Sequence, residues 1–140
     1  MKWSDRYALG VDVIDQQHQV LFGLIDQLAQ GICSGESEAV LSEVFCALQT
    51  YVQVHFLTEQ SLMENSFFPG AVAHAAQHHE FERSLSDLVQ RSHSGSPWTS
   101  IETMNFLRQW LFHHIDDTDR ALATHLVASD RCSESLTDCV

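Results

Sequence analysis

Seven residues of this sequence stand at spacings that bring their side chains to one place: His18, then His55 and Glu59, then His74 and His78, then His114 and Asp119. On a helix, residues four apart share a face, so His55/Glu59 and His74/His78 can each address a common centre. His114 and Asp119 are five apart, about 140° around an ideal α-helix, so Asp119 must reach around to the same centre or the helix must widen locally. The spacing therefore predicts a π-type bulge over residues 115 to 118. Neutral imidazoles and carboxylates are donors for transition-metal ions. Five imidazoles with two carboxylates exceed the needs of one ion, so the natural count is two ions bridged by the carboxylates. Iron, zinc, copper and nickel all accept imidazole, so donor type does not select among them.

Something must hold these residues together. Four long segments repeat apolar residues at three-and-four spacing, and almost none alternates with period two. They are separated by GICSGES (31–37), SFFPG (66–70) and SHSGSPW (92–98), stretches rich in turn formers. Helices are predicted over about 12–32, 38–65, 71–92 and 99–128. The fourth opens on Thr99-x-x-Glu102, a capping-box pattern. Short connections between long amphipathic helices predict an all-α fold, an antiparallel up-down-up-down four-helix bundle. An N-terminal arm (1–11) precedes it, and the bundle domain (1–128) is followed by a polar tail or connector (129–140).

Each predicted helix carries ionisable residues where leucine belongs. The inner stripes read Ile14, His18, Leu21, Ile25, Leu28, Ile32, then Leu41, Val44, Leu48, Val52, His55, Glu59, Leu62. The third reads His74, His78, Phe81, Leu85, Leu88, and the fourth Met104, Leu107, Leu111, His114, Thr118, Leu122, with Asp119 beside it. At about 1.5 Å per residue in antiparallel helices, the four sets fall at one height. One histidine on an apolar face is most simply a hydrogen-bonded core residue. So many together would cost several kcal/mol for each poorly satisfied group, against a total stability of about 5–15 kcal/mol. A bound cation removes that cost. His79, His93, His113 and His125 fall outside the layer and are expected at the surface or in an end layer.

Composition narrows the partners. Seven Lys+Arg against 19 Asp+Glu give a formal charge of −12 over 140 residues, which repels nucleic acid and anionic membranes. No segment reads as the roughly 20 apolar residues of a membrane span, and the N-terminus lacks a signal peptide's apolar run. A soluble cytoplasmic protein is the expectation. Cys33, Cys46, Cys132 and Cys139 form no C-x-x-C pair and read as reduced thiols, with Cys46 a small core residue.

The segments Trp3…Gly10-Val-Asp-Val-Ile-Asp-Gln-Gln-His18, His55-Phe-Leu-Thr-Glu59, His74-x-x-x-His78 and Trp110-Leu-x-x-His114-Ile-x-x-x-Asp119 resemble the hemerythrin family in its bacterial form. The resemblance runs from Trp3 to about Ala128. It implies a non-haem, oxo- or hydroxo-bridged di-iron site that binds dioxygen reversibly. By the same resemblance His74, His78 and His114 hold one iron, His18 and His55 the other, and Glu59 and Asp119 bridge them. One coordination position then stays open, on the iron with two histidines. Leu111 matches a position that shields the O2 pocket, and Trp110 and Trp3 match aromatic positions near it, although plain core packing explains the tryptophans equally well. Many relatives have Glu-Glu where this chain has Glu59-Gln60.

Three functions compete at this stage. The first is an O2 carrier or an O2/redox sensor, with an attached or interacting signalling domain as a partner. The second is a di-iron enzyme reducing O2, peroxide or nitric oxide, for which the sequence offers no separate acid or base beside the open position. A redox-silent zinc bundle is third, and the open position argues against it.

Overall fold

The computed structural model describes the backbone of residues 2–95 and 98–138, and the side chains of these residues up to 130. The elements are a 3-10 turn (Asp5–Tyr7), α1 (Asp12–Cys33), α2 (Ser37–Asn65), α3 (Ala71–His93), α4 (Thr99–His113), a π-helical segment (His114–Asp119) and α5 (Arg120–Asp138). Because α4, the π segment and α5 run on without a break, the described chain forms four rods. α1 packs beside α2 and α4, and α3 beside the same two, which closes the expected four-helix bundle. The fourth rod continues to Asp138, beyond the end expected near 128. The stretch SDRCSESLTD is polar but contains neither Gly nor Pro, so nothing in it stops a helix.

The turns fall where the sequence is punctuated. α1 ends on Gly35 at φ +77°, where Glu36 N–H reaches back to Gly31 C=O at 2.9 Å, and α3 ends similarly on Gly95 at φ +83°. The α2–α3 turn places Phe67 in the left-handed region at φ +55°, with Phe68 N–H donating to Met63 C=O at 3.0 Å. α4 starts at Thr99 as expected, but the Glu102 carboxylate pairs with Arg91 of α3 rather than completing a capping box.

The inner stripes are buried as read, with small shifts. Met63 is fully buried where Leu62 was expected, and Ile32, Leu62, Met104 and Thr118 are half-buried. Cys46 is exposed, not a core residue. Val44, Phe45 and Leu48 set the inward direction of α2, and two residues from Val44 a helix points the other way. Cys33 is exposed too, and the side chains of Cys132 and Cys139 lie outside the described residues. Contrary to the expectation that no segment approaches a membrane span, α2 is long and apolar enough for one by length and composition alone. Its place in the bundle accounts for this: it carries Leu41, Val44, Leu48, Val52 and Met63 into the core.

The N-terminal arm is held down at the mouth of α1. Asp15 accepts hydrogen bonds from the backbone N–H of Leu9 (2.8 Å) and Gly10 (3.2 Å). Trp3 and Tyr7 pack against Phe22, and Arg6 lies over the rings of Tyr7 and Phe112, tying the arm to α4.

Two glycines of α1 test the packing in opposite directions. A Cβ on buried Gly31 would lie 2.8 Å from Val40 Cβ, an atom that cannot move without the first turn of α2. Exposed Gly23 meets nothing within 4 Å. Gly31→Ala is expected to destabilise by about 1–3 kcal/mol through overpacking, and Gly23→Ala to stabilise by about 0.5–1 kcal/mol through helix propensity. Thermal melts at equal metal content measure both, and changes of the same sign would contradict this packing.

Candidate metal centre

All seven predicted residues meet in one layer, each buried. His18 comes from α1, His55 and Glu59 from α2, His74 and His78 from α3, and His114 and Asp119 from the two ends of the π segment. Their donor atoms form two overlapping sets: Glu59, His74, His78, His114 and Asp119, and His18, His55, Glu59 and Asp119. The carboxylates belong to both. Glu59 turns Oε1 to His55 Nε2 (2.5 Å) and Oε2 to His74 Nε2 (2.6 Å). Asp119 turns Oδ2 to His18 Nε2 (2.9 Å) and Oδ1 to His114 Nε2 (3.0 Å) and His74 Nε2 (3.1 Å). One oxygen of each therefore faces the side of His18 and His55, while the other faces the side of His74, His78 and His114.

These short approaches are not ordinary hydrogen bonding. Both oxygens of Glu59 and Asp119, and the Nε2 atoms of His18 and His74, are buried without a partner of hydrogen-bond geometry. Buried carboxylate oxygens left this way are rare, and they mark a place built for something that accepts several lone pairs at once. A pair of divalent cations is such a thing, so the residues fit a two-metal centre.

The π segment does what the interval required. It covers His114–Asp119, slightly wider than the bulge predicted at 115 to 118, and it brings both His114 and Asp119 inward while His113, Asp116 and Asp117 stay exposed. Ile115 packs inward at 1% exposure. Of the other histidines, His79, His93 and His113 are exposed, and His125 is half-buried with Nε2 at 2.8 Å from Ser66 C=O, away from the cluster.

Sequence reading missed two glutamines. Gln17 Oε1 lies 2.6 Å from His55 Nδ1, and Gln77 Oε1 lies 2.9 Å from His114 Nδ1. The available signal was faint: each precedes a cluster histidine in the chain, as Gln17-His18 and Gln77-His78. Aromatic rings also fix imidazole planes. Phe56 stacks on His78 with centroids 3.7 Å apart, and Trp110 stacks on His114 at 4.2 Å.

One turn from the cluster lies a small, nearly enclosed apolar cavity of about 10 Å³, lined by Leu21, Val52, Phe56, Phe81, Trp110 and Leu111 among others. Leu21, Val52, Phe81 and Leu111 stand three residues from His18, His55, His78 and His114, so the cavity sits on the bundle axis beside the histidine layer. At this volume it is at the lower limit for one water-sized molecule, and its lining is almost wholly apolar. Leu111 and Trp110 are both among its lining residues. Trp3 packs on Phe22 and Tyr7 and does not line the cavity.

The electrostatics of the metal-free cluster are uneven. Burial pulls His74 down, but the Asp119 and Glu59 carboxylates outweigh it and raise its pKa from 6.5 to about 9. Burial, with His114 and His74 beside it, lowers His78 to about 2. Burial opposes ionisation of Asp119, yet His114, His18 and His74 hold its carboxyl well below 3.8.

Comparison with known proteins agrees with this geometry. Residues 9–126 match the family model described as the hemerythrin HHE cation binding domain. A bacteriohemerythrin of Stenotrophomonas maltophilia is 33% identical over 126 residues, covering 90% of this chain and 81% of the relative. A myohemerythrin of Riftia pachyptila is 28% identical over 117 residues, 84% of this chain and 86% of the relative. The crystal structure of a wild-type hemerythrin superposes with a TM-score of 0.80 at 27% identity, over 90% of this chain and 97% of that one.

Protonation gives a direct test. At pH 7 the metal-free chain carries a proton on His74, since its pKa is near 9, whereas His78 is already neutral. A metal needs the lone pair, so uptake at pH 7 is expected to release the His74 proton, and apparent affinity to fall as pH drops below about 9. Calorimetry in buffers of different ionisation enthalpy measures the release. Without metal the sign is opposite for stability: the raised pKa of His74 stabilises the fold fully below 6.5, and this contribution is lost as pH rises through about 9.

Proposed function

Because the chain belongs to the hemerythrin family, we propose that it is a non-haem di-iron protein that binds dioxygen reversibly, as a carrier or as an O2/redox sensor of the cytoplasm. His74, His78 and His114 would hold one iron, His18 and His55 the other, and Glu59 and Asp119 would be shared between them. The observation that carries this reading is the division of the carboxylates, each with one oxygen toward the three-histidine set and one toward the two-histidine set. Bound iron would supply the two electrons that dioxygen takes on binding and returns on release.

The chain's residues set the conditions for that exchange. Neutral imidazoles outnumber the carboxylates, so the donor set carries little negative charge and favours the ferric state less than a carboxylate-rich set would. With two histidines on one side against three on the other, the His18/His55 side would offer its ion fewer protein donors. Beside the cluster, the apolar cavity gives a small uncharged molecule a dry place. No hydroxyl, carboxylate or imidazole lines it, so no side chain there can pass a proton to the bound molecule, which supports holding dioxygen over reducing it. Leu111, at 5% exposure, lines this cavity one turn before His114.

Anaerobic loading with ferrous iron is expected to give two irons per chain, and air a coloured adduct that bleaches on deoxygenation. Oxidation with no lasting adduct would sink reversible binding. His74→Ala should lose tight binding of one iron while His125→Ala keeps both, and equal losses would break the ligand assignment. Leu111→Phe, filling the cavity, should slow O2 uptake at unchanged iron content.

A further inference from the structure

We infer that Gln17 and Gln77 are positioning residues, one for each half of the centre, each fixing which ring nitrogen a histidine of a neighbouring segment turns to metal. The inference rests on the metal centre proposed above. Both glutamines precede a cluster histidine of their own helix, yet each bonds a different one across the bundle: Gln17 of α1 to His55 of α2, and Gln77 of α3 to His114 at the start of the π segment.

The Gln17 amide can point only one way. Thr58 Oγ1 donates its proton to Val54 C=O at 2.9 Å, so toward Gln17 it must accept, and it accepts from Gln17 Nε2 at 3.0 Å. The Gln17 carbonyl oxygen is therefore the group that faces His55 Nδ1, and it only accepts. His55 must carry its proton on Nδ1, which leaves the Nε2 lone pair directed at Glu59 and the two-histidine position.

Gln77 does the same and more. Its Oε1 accepts from His114 Nδ1 at 2.9 Å and from Thr118 Oγ1 at 2.8 Å. Those donors sit at the first and fifth residues of the π segment, and Asp119 follows directly. One oxygen of α3 thus sets the tautomer of a three-histidine ligand and pins the segment that delivers a bridging carboxylate. His18 and His74 are built differently, since their Nδ1 atoms are buried without a hydrogen-bond partner.

An outer acceptor of this kind orients the ring and makes it a stronger donor, and its loss typically lowers metal affinity ten- to hundredfold. Leucine would leave a buried Nδ1–H unpaired and free the ring to adopt the other tautomer. Glutamate would keep the acceptor and add negative charge, making the imidazole more electron-donating and favouring ferric over ferrous iron.

The test uses the full chain with cobalt(II) titrated against a competing chelator, metal-free circular dichroism to confirm folding, and the midpoint potential of the iron-loaded protein. Gln17→Leu and Gln77→Leu are expected to retain helical signal and each to weaken one of two cobalt ions by about ten- to hundredfold. The Gln17→Leu loss should vanish in a His18→Ala background, where that ion is already absent, whereas the Gln77→Leu loss should persist. Gln17→Glu and Gln77→Glu should bind both ions within a few-fold of wild type and lower the midpoint potential. Wild-type cobalt affinity in both leucine variants would overturn the inference alone, as would glutamate variants with an unshifted potential, even if a leucine variant failed to fold. A wild-type chain that takes up no cobalt would overturn the metal-centre reading and this inference with it.

Discussion

Two carboxylates, Glu59 and Asp119, lie on the axis of an apolar bundle with no exposure to solvent, and the rest of the structure is arranged around that fact. Among the described residues no lysine or arginine pairs with either, although such a charge is tolerated in a core only when it is compensated. Compensation comes from five imidazoles, at least one from each of the four rods, and it is complete only when cations lie between them. Any rotation of a rod that withdraws its histidine strands a buried charge. The bundle is thereby fixed in register at one height by electrostatics and elsewhere by packing. Binding free energy at such a centre is also folding free energy.

The layers on either side of the charges complement this one. Phe56 and Trp110 lie flat against His78 and His114, so the imidazoles are sandwiched between anions on the axis and aromatic faces behind. The same two rings line the apolar cavity. Orientation of the ligands and dryness of the neighbouring space come from the same side chains, and neither can be altered without the other.

Much of this was legible in the chain itself. The i,i+4 pairs His55/Glu59 and His74/His78 marked inner faces, and an i,i+5 interval that fits an ideal α-helix poorly located the π segment to within a residue at each end. Periodicity gave the helices because each buries a continuous stripe. What stayed hidden was contact between segments distant in sequence. Gln17 reads as a polar residue, and nothing local shows that its oxygen meets a ring 38 residues on. Cys46 lies in an apolar run whose helical phase, not its composition, turns it outward. The polar end of α5 has the composition of a tail but no residue to stop a helix.

The π segment has a consequence beyond the site. Relative to His114, an uninterrupted α-helix would carry Asp119 about 140° and Leu122 about 80° around the axis, so neither would point inward along with it. Absorbing one extra residue makes them equivalent to positions four and seven residues on, and both are fully buried. The segment acts as a vernier between two periodicities, one demanded by the metal layer and one by the core that resumes after it. Asp116 and Asp117 stand on its outer side, so the inward pattern is indifferent to one residue of chain length there. A lineage that gained or lost that residue would exchange a π turn for an α turn while keeping the same side chains in the core.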